Sequence, residues 1–193
     1  MEFLDLKNVI HVGHSTGGGE AIRYAAQYGK DRVAKVVLIS AITPYTIADE
    51  NNPGGVPFTV FDGIRYHTQY NRAQFYHDIS IPFFGYNRDS AIIKKGIRDN
   101  WWRQGMMGGI KAQYDCIKVF SDTDFTEDLK SVHIPVLVLH GDGDQIVPYT
   151  TTAVKAAALL KKGKSIIYSG FSHGMPTTEA ATINEDIPEF INA

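Results

Sequence analysis

The feature that most constrains this chain is a short apolar run that ends in a glycine–serine turn and leads directly into a helical pattern. The run at residues 9–12 precedes Gly-His-Ser-Thr-Gly at 13–17, and apolar side chains then recur at helical spacing over 20–28. Gly29 is a typical helix stop, and a second buried-strand pattern follows at 35–40. This order predicts a right-handed βαβ unit with parallel strands.

The alternation of strand and helix patterns returns near the end of the chain, after a middle region with a different pattern. From about 41 to 128, prolines, glycines and aromatic residues replace the strand patterns, which predicts a helical insertion rather than a separate domain. A strand is expected at 134–140, a helix at about 151–162, a strand at 165–168 and a final helix at about 178–191, interrupted at Pro188. The predicted class is α/β, one domain with a mostly parallel sheet flanked by helices.

Composition excludes several classes of function. The 19 basic and 21 acidic residues form no Lys/Arg stripe, so neither nucleic acid nor another strongly charged partner is expected. No apolar run approaches the roughly 18 residues of a membrane span, and the start resembles no signal peptide, which predicts a cytoplasmic protein that does not bind membranes. Cys116 is the single cysteine, and its apolar neighbours predict a buried thiol. Without further cysteines or the His/Glu spacing of a zinc helix, no metal is expected.

The glycine–serine turn has the pattern G-x-S-x-G between a strand and a helix, which favours Ser15 as a nucleophile. A serine on such a sharp turn needs little bulk around it, and Gly13 and Gly17 are expected to provide that space. Because the turn precedes a helix, the backbone N–H of Thr16 is predicted to donate to a developing oxyanion.

A serine hydroxyl needs a base, and the base needs an acid to orient it. Asp142 and Asp144 flank Gly143 just after the strand at 134–140, where open α/β sheets place functional loops. Loop geometry favours Asp144 as the acid, with Asp142 as the alternative whose other role is to cap the turn. His173 follows the acid and lies in a loop before the last helix, so it is the candidate base.

The substrate pocket is expected to be apolar, because the insertion carries both tryptophans and most other aromatic residues. His14 either lines this pocket or fixes the turn beside the nucleophile. The candidate pocket residues are His14, Phe58, Trp101, Trp102, Ile146 and Val147.

These motifs together resemble the cofactor-free, non-heme chloroperoxidase and arylesterase group of α/β hydrolases. The resemblance rests on Gly-His-Ser-Thr-Gly-Gly-Gly-Glu at 13–20, His-Gly-Asp-Gly-Asp-Gln-Ile-Val-Pro at 140–148 and Ser-His-Gly at 172–174. It implies hydrolysis of small or aryl esters through a serine acyl-enzyme, with Ser15, Asp144 and His173 at the triad positions. It also implies a perhydrolase side activity that needs neither haem nor metal.

The resemblance covers only the C-terminal two-thirds of the family pattern, so the expected fold is a truncated α/β-hydrolase fold. In that fold the nucleophile strand is the fifth, and the second oxyanion donor lies after the third. Without those strands one sheet edge is expected to be exposed, which predicts a homo-oligomer and an esterase weakened roughly 100- to 1,000-fold. The alternatives are a catalytically impaired scaffold that assembles or binds partners, and a lactonase or carbon–carbon bond hydrolase with the same triad.

Overall fold

The computed structural model describes residues 1–89 and 91–193, and it confirms the predicted α/β class. The strands are β1 (Val9–His14), β2 (Val33–Ile39), β3 (Val136–Gly141) and β4 (Gly163–Tyr168). The helices are α1 (Thr16–Tyr28), α2 (Phe58–Phe83), α3 (Lys95–Met107), α4 (Ile110–Asp122), α5 (Thr126–Ser131), α6 (Ala153–Leu159), α7 (Met175–Thr178) and α8 (Ala180–Asn192).

The four strands form one sheet in the order β1-β2-β3-β4, and every neighbouring pair is parallel. All four carboxyl ends therefore meet at the same edge of the sheet. Ser15 follows β1, Asp144 follows β3 and His173 follows β4. Helices α2, α3 and α4 lie between β2 and β3 in the chain, and we call them the cap. The topology thus gathers the three candidate catalytic residues at one edge.

The core consists of two layers of apolar side chains, one on each face of the sheet. Val36 and Leu38 of β2 belong to a buried cluster with α1, α5 and α6. Val37 and Ile39 point to the opposite face and join a second cluster with α7 and α8. This alternation follows from the two-residue period of a strand, and burial on both faces explains why residues 36–39 of β2 are all apolar.

Three predicted helix boundaries are wrong. Helix α1 begins at Thr16 rather than Glu20, so the glycines that follow the turn are helical. Helix α6 is shorter than the predicted 151–162. Helix α8 continues through Pro188 because Ile183 and Phe190, on either side of it, are both buried; the break in this region lies before α8, at Glu179.

Strand β1 forms the open side of the sheet. Its neighbour is β2, and no second neighbour pairs with it in the described part of the chain. Val12, within this strand, is 54% exposed, and Phe3 and Leu4, which precede the strand in the chain, are also exposed. Apolar side chains are therefore exposed both on β1 and in the segment before it. Within residues 1–89 and 91–193, none of the helices combines the length and the apolar character that crossing a membrane requires.

Candidate active site

Ser15 lies on a strained turn between β1 and α1. Its φ of 56° and ψ of −121° place it in a region that residues with a side chain rarely adopt. The turn is held from both sides: the Ser15 N–H donates to the carbonyl of Ile39 at 2.9 Å, and the Ser15 carbonyl accepts from Gly18 at 3.1 Å. The end of β2 therefore fixes the backbone of the serine.

The glycines around Ser15 do not all serve the purpose that the pattern suggests. A Cβ on Gly13 would lie 2.3 Å from the carbonyl oxygen of Gly17, so only glycine fits there. A Cβ on Gly17 would meet nothing within 4 Å, and the expectation that this glycine relieves crowding is wrong. Gly18 makes the close approach instead, because its Cβ would lie 2.4 Å from that of Ala41.

Thr16 is the first residue of α1, and its backbone N–H is one of the helix N–H groups without a carbonyl partner inside the helix. The positive end of the helix dipole adds to the field at this point. Ser15 and Thr16 both line the same cavity. The N–H of Thr16 is therefore available to a negatively charged oxygen that forms beside Ser15.

Asp144 is a fully buried carboxylate with a hydrogen-bond donor for each of its lone-pair directions. Its Oδ1 accepts from the backbone N–H groups of Ile146 at 2.8 Å and Val147 at 2.9 Å. Its Oδ2 lies 2.7 Å from His173 Nδ1 and 3.1 Å from His140 Nε2. Burial alone raises the pKa of Asp144, but the hydrogen bonds from the two histidines outweigh it and hold that pKa well below its ordinary value. Asp144 is thus an anion throughout the neutral range.

The alternative acid, Asp142, points elsewhere. It is exposed, and its Oδ1 accepts from the backbone N–H of Gly170 at 2.6 Å. It connects the loop after β3 to the loop after β4, whereas Asp144 contacts the imidazole of His173. Of the two aspartates that flank Gly143, the geometry therefore brings Asp144 to the base.

His173 is buried, with 1% of its side chain exposed, and it lines the cavity with Ser15. The Asp144 carboxylate can accept hydrogen bonds but cannot donate them. The Nδ1 of His173 therefore carries a proton, and its Nε2 keeps a free lone pair. The ring of Phe83 packs edge-on against the imidazole at 4.8 Å between centroids. The imidazole is therefore fixed by a carboxylate on one side and an aromatic ring on another.

His140 is a residue of the candidate site that the sequence pattern did not single out. It is fully buried at the end of β3, and its Nε2 lies between Asp144 Oδ2 and the carbonyl of Val147, which is 3.0 Å away. Both neighbours are acceptors, so Nε2 carries the proton. Its position four residues before the acid is the signal that could have identified it.

His14 bonds to the backbone of His173 and does not line the cavity. Its Nε2 lies 2.9 Å from the carbonyl oxygen of His173, which makes it a donor. Burial, followed by the nearby charge of His173, lowers the pKa of His14 to about 4. His14 is therefore neutral at pH 7, and it connects β1 to the loop that carries the base.

A cavity of about 470 Å³ opens beside Ser15 and His173. The cap contributes aromatic side chains to its wall, namely Phe75, Tyr76, Phe83, Trp101 and Phe120. In the described part of the chain, the residues that line it include no Asp, Glu, Lys or Arg. The cavity therefore suits an uncharged, largely apolar molecule.

The candidate pocket residues divide into two groups. Trp101 and Ile146 line the cavity. Phe58 does not, since it is the first residue of α2 and 47% exposed. Trp102 does not either, because its indole N–H turns away to donate to the carbonyl of Ala73 at 2.8 Å. The aromatic content of the cap could not show which ring faces inward.

Two further residues lie in places that the sequence did not predict. Val147 packs in the core cluster with α1 and α6, and only its backbone N–H serves the site, through Asp144. Cys116 is exposed and lines the cavity, so the prediction of a buried thiol is wrong. The buried residues of α4 are Ile117 and Ser121, and Cys116 directly precedes the first of them, so it lies on a different face of the helix.

Residues 1–89 and 91–193 contain no cluster of three or more His, Cys, Asp or Glu that could hold a metal ion.

Comparison with known proteins decides the family. A family model described as alpha/beta hydrolase fold matches residues 1–179. The chain belongs to the α/β-hydrolase family. This α/β hydrolase is 54% identical over 194 residues to a bifunctional esterase/perhydrolase of Acinetobacter calcoaceticus, and 52% identical over 196 residues to a non-heme chloroperoxidase of Burkholderia pyrrocinia. Each alignment covers 100% of this chain and 70% of the relative. The predicted resemblance to the non-heme chloroperoxidase and esterase group is therefore confirmed.

The solved structures agree with the family. The crystal structure of a bromoperoxidase from Bacillus anthracis superposes on this α/β hydrolase with a TM-score of 0.94 at 32% identity. The match covers 100% of this chain and 70% of that one. The chain spans about 70% of the length of the relatives it matches.

Proposed function

We propose that this α/β hydrolase is a serine esterase that cleaves small or aryl carboxylic esters through an acyl-enzyme on Ser15. The observation that carries the proposal is the buried hydrogen bond between His173 Nδ1 and Asp144 Oδ2, at 2.7 Å, beside the cavity that Ser15 lines. A carboxylate in this position fixes the imidazole tautomer whose free Nε2 acts as the base. The uncharged aromatic wall of the cavity supports a neutral ester as the substrate.

The proposed reaction has two halves. Ser15 Oγ attacks the ester carbonyl while His173 Nε2 takes its proton, and Asp144 stabilises the imidazolium that forms. The Thr16 N–H donates to the oxyanion of the tetrahedral intermediate. When the intermediate collapses, His173 returns the proton to the leaving alcohol, and the acyl group stays on Ser15. Water, deprotonated by His173, then attacks the acyl-enzyme and releases the acid.

A second activity is favoured by the relative named esterase/perhydrolase. Hydrogen peroxide replaces water in the second half, so that the acyl-enzyme releases a peracid, which then oxidises halide in solution. Peroxide supplies the oxidising equivalents that the peracid passes to the halide, and the acyl-enzyme on Ser15 is common to both activities. In acetate buffer with peroxide and bromide, Ser15 takes its acyl group from acetic acid, whose hydroxyl leaves as water. We expect bromide oxidation that Ser15→Ala lacks; oxidation that persists in the variant would exclude this route.

The test of the esterase proposal compares aryl acetate turnover by the wild type with that of Ser15→Ala. We expect turnover to fall by roughly 10⁴-fold or more, because the nucleophile acts as a unit with its base. Ser165→Ala, which removes an exposed hydroxyl on β4, is the matched control and is expected to behave as the wild type. Equal turnover by the wild type and Ser15→Ala would favour the alternative that the chain is a catalytically impaired scaffold.

We also propose that a second copy of this chain covers the open edge of the sheet at β1. A strand edge with free backbone N–H and C=O groups pairs readily with another strand, and Val12 on β1 is 54% exposed. Sedimentation at micromolar concentration is expected to give a species larger than a monomer, and Val12→Lys should dissociate it. A monomeric wild type would contradict the proposal.

A cytoplasmic location stays a prediction of the sequence.

A further inference from the structure

The acid and the base stand on two separate loops. We define the acid loop as residues 142–147, after β3, and the base loop as residues 169–174, after β4. The strands pair in register up to Gly141 and Tyr168. Beyond that point the regular ladder ends. Catalysis requires Asp144 and His173 to stay within hydrogen-bonding distance, so something other than the ladder must hold the two loops together.

Arg88, from the segment after α2, bonds to both loops at once. One terminal nitrogen of its guanidinium donates to the carbonyl of Gly143, directly before the acid. The other donates to the carbonyl of Gly170 in the base loop. A guanidinium is a rigid planar fork, so two carbonyls that bind its two ends are held at a fixed separation.

The space for this guanidinium is made by two glycines. A Cβ on Gly143 would lie 2.6 Å from Arg88 Nη2, and a Cβ on Gly85 would lie 2.9 Å from Arg88 Cζ. Gly85 also has a φ of +68°, in the left-handed region that favours glycine. The local backbone is therefore shaped around the arginine head group.

The rest of the same segment makes further bonds to both loops. The carbonyl of Phe83 accepts from the N–H of Gly174 at 2.9 Å. The side-chain amides of Asn87 and Gln145 bond reciprocally at 2.9 and 3.0 Å. Residues 83–88 thus form a strap that runs from the end of a cap helix across the base loop and the acid loop.

We propose that Arg88 is a positioning residue that keeps Asp144 and His173 aligned for the reaction. It touches neither the acid nor the base side chain and acts through the carbonyls of Gly143 and Gly170. The cap that lines the substrate cavity is therefore connected by the strap to the loops that carry the candidate acid and base, and Arg88 is the side chain of the strap that bonds to both loops. This role rests on the proposed serine esterase function.

The test replaces Arg88 and follows both activity and loop motion. For Arg88→Ala we expect kcat to fall about 10- to 100-fold with KM within about 2-fold, because loss of alignment affects the chemical step more than apolar binding. Amide hydrogen exchange is expected to accelerate in both loops and to be unchanged in α1. Arg88→Lys, which keeps the charge and loses the fork, should restore only part of kcat. Arg103→Ala removes an exposed arginine of the cap that bonds only to Asn100 in the described part of the chain, and it serves as the control.

Unchanged kcat in Arg88→Ala would overturn the proposal. A variant with a lower melting temperature would also overturn it if, below the unfolding transition, its kcat and its amide exchange in both loops equal those of the wild type. The esterase proposal fails by a separate result, equal turnover of the wild type and Ser15→Ala. In that case hydrogen exchange still decides whether Arg88 holds the two loops, since it needs no substrate. Exchange that is unchanged in both loops would then overturn the strap.

Discussion

The two halves of the site are held in different ways. On the side of β3 and β4, Asp144 accepts four hydrogen bonds, its side chain is fully buried, and the loops around it are bonded to each other. On the side of β1, the strand that leads to Ser15 has one neighbour in the described residues, and Val12 is half exposed. Residues of this chain enclose the candidate acid and base, whereas the strand that leads to the candidate nucleophile has one edge without a partner among the described residues.

The difference bears on two parts of the proposed mechanism. In that mechanism, proton transfer depends on a buried carboxylate and an oriented imidazole, and the side chains of Asp144 and His173 are both buried. Stabilisation of the oxyanion would depend on donors beside Ser15, for which the N–H of Thr16 is the candidate. We therefore expect substitutions in the first half to have large effects on rate, and substitutions on the open side to have small effects on stability.

The largest effect is expected from Asp144→Asn. The amide keeps the shape of the carboxylate, but its NH₂ cannot accept from His173 Nδ1, so the imidazole is held in the wrong tautomer and kcat should fall roughly 10⁴-fold. Asp142→Asn, on the other side of Gly143, is the matched variant and should lose less than about 10-fold. Steady-state kinetics with an aryl acetate measures both. Equal losses would contradict the assignment of the acid.

His14 forms the bond that joins the two halves, and its lowered pKa gives a test in pH. The unfolded chain binds a proton with the ordinary pKa of 6.5, the folded chain only at about 4, so the unfolded state binds more protons between these values. The free energy of unfolding should therefore decrease as pH falls from about 6.5 to about 4. At about 1.4 kcal/mol per unit of pKa, the loss is on the order of 3 kcal/mol.

Urea unfolding of His14→Gln between pH 4 and pH 7 measures this contribution. The variant should lose less stability over that range than the wild type, because glutamine binds no proton. His67→Gln, on the exposed surface of the cap, should keep the slope of the wild type. Parallel curves for the wild type and His14→Gln would exclude His14 as the source.

The smallest effects compare one substitution on the two sides of the sheet. Val138→Thr places a hydroxyl in the buried centre of β3, at 2% exposure, and should cost about 1–3 kcal/mol of the free energy of unfolding. Val12→Thr, on β1 at 54% exposure, should change it by less than about 0.5 kcal/mol in the monomer. Denaturant titration measures both. A large loss in Val12→Thr, measured at a concentration where the chain sediments as a monomer, would contradict the comparison.

The sequence predicted the parts of this molecule that depend on local patterns. The runs at β2 and β3 are apolar because both faces of these strands are buried, and the glycine–serine turn lies between a strand and a helix as expected. The four-residue spacing between His140 and Asp144 was visible, but its meaning depends on how the loop after β3 folds back. Phe58 and Trp102 were misplaced because the direction of an aromatic ring in the cap is decided by packing between helices, which composition does not encode.

The strap was also beyond the reach of sequence patterns. Arg88 lies 55 residues before Gly143 and 82 before Gly170, and nothing local to it indicates a partner. Its proposed role depends on the contact between the cap and the edge of the sheet. Long-range bonds of this kind explain why candidate catalytic residues could be named from local motifs, while the residues that bond to their loops could not.

The central claim is that the chain itself carries an activated serine at position 15. The direct test is to treat the native protein with a fluorophosphonate and to locate the adduct by peptide mass spectrometry. We expect a single adduct on Ser15, lost in Ser15→Ala and in protein unfolded by urea, because activation depends on His173 and Asp144 in the folded state. An adduct on another residue, or equal labelling of native and unfolded protein, would contradict the claim.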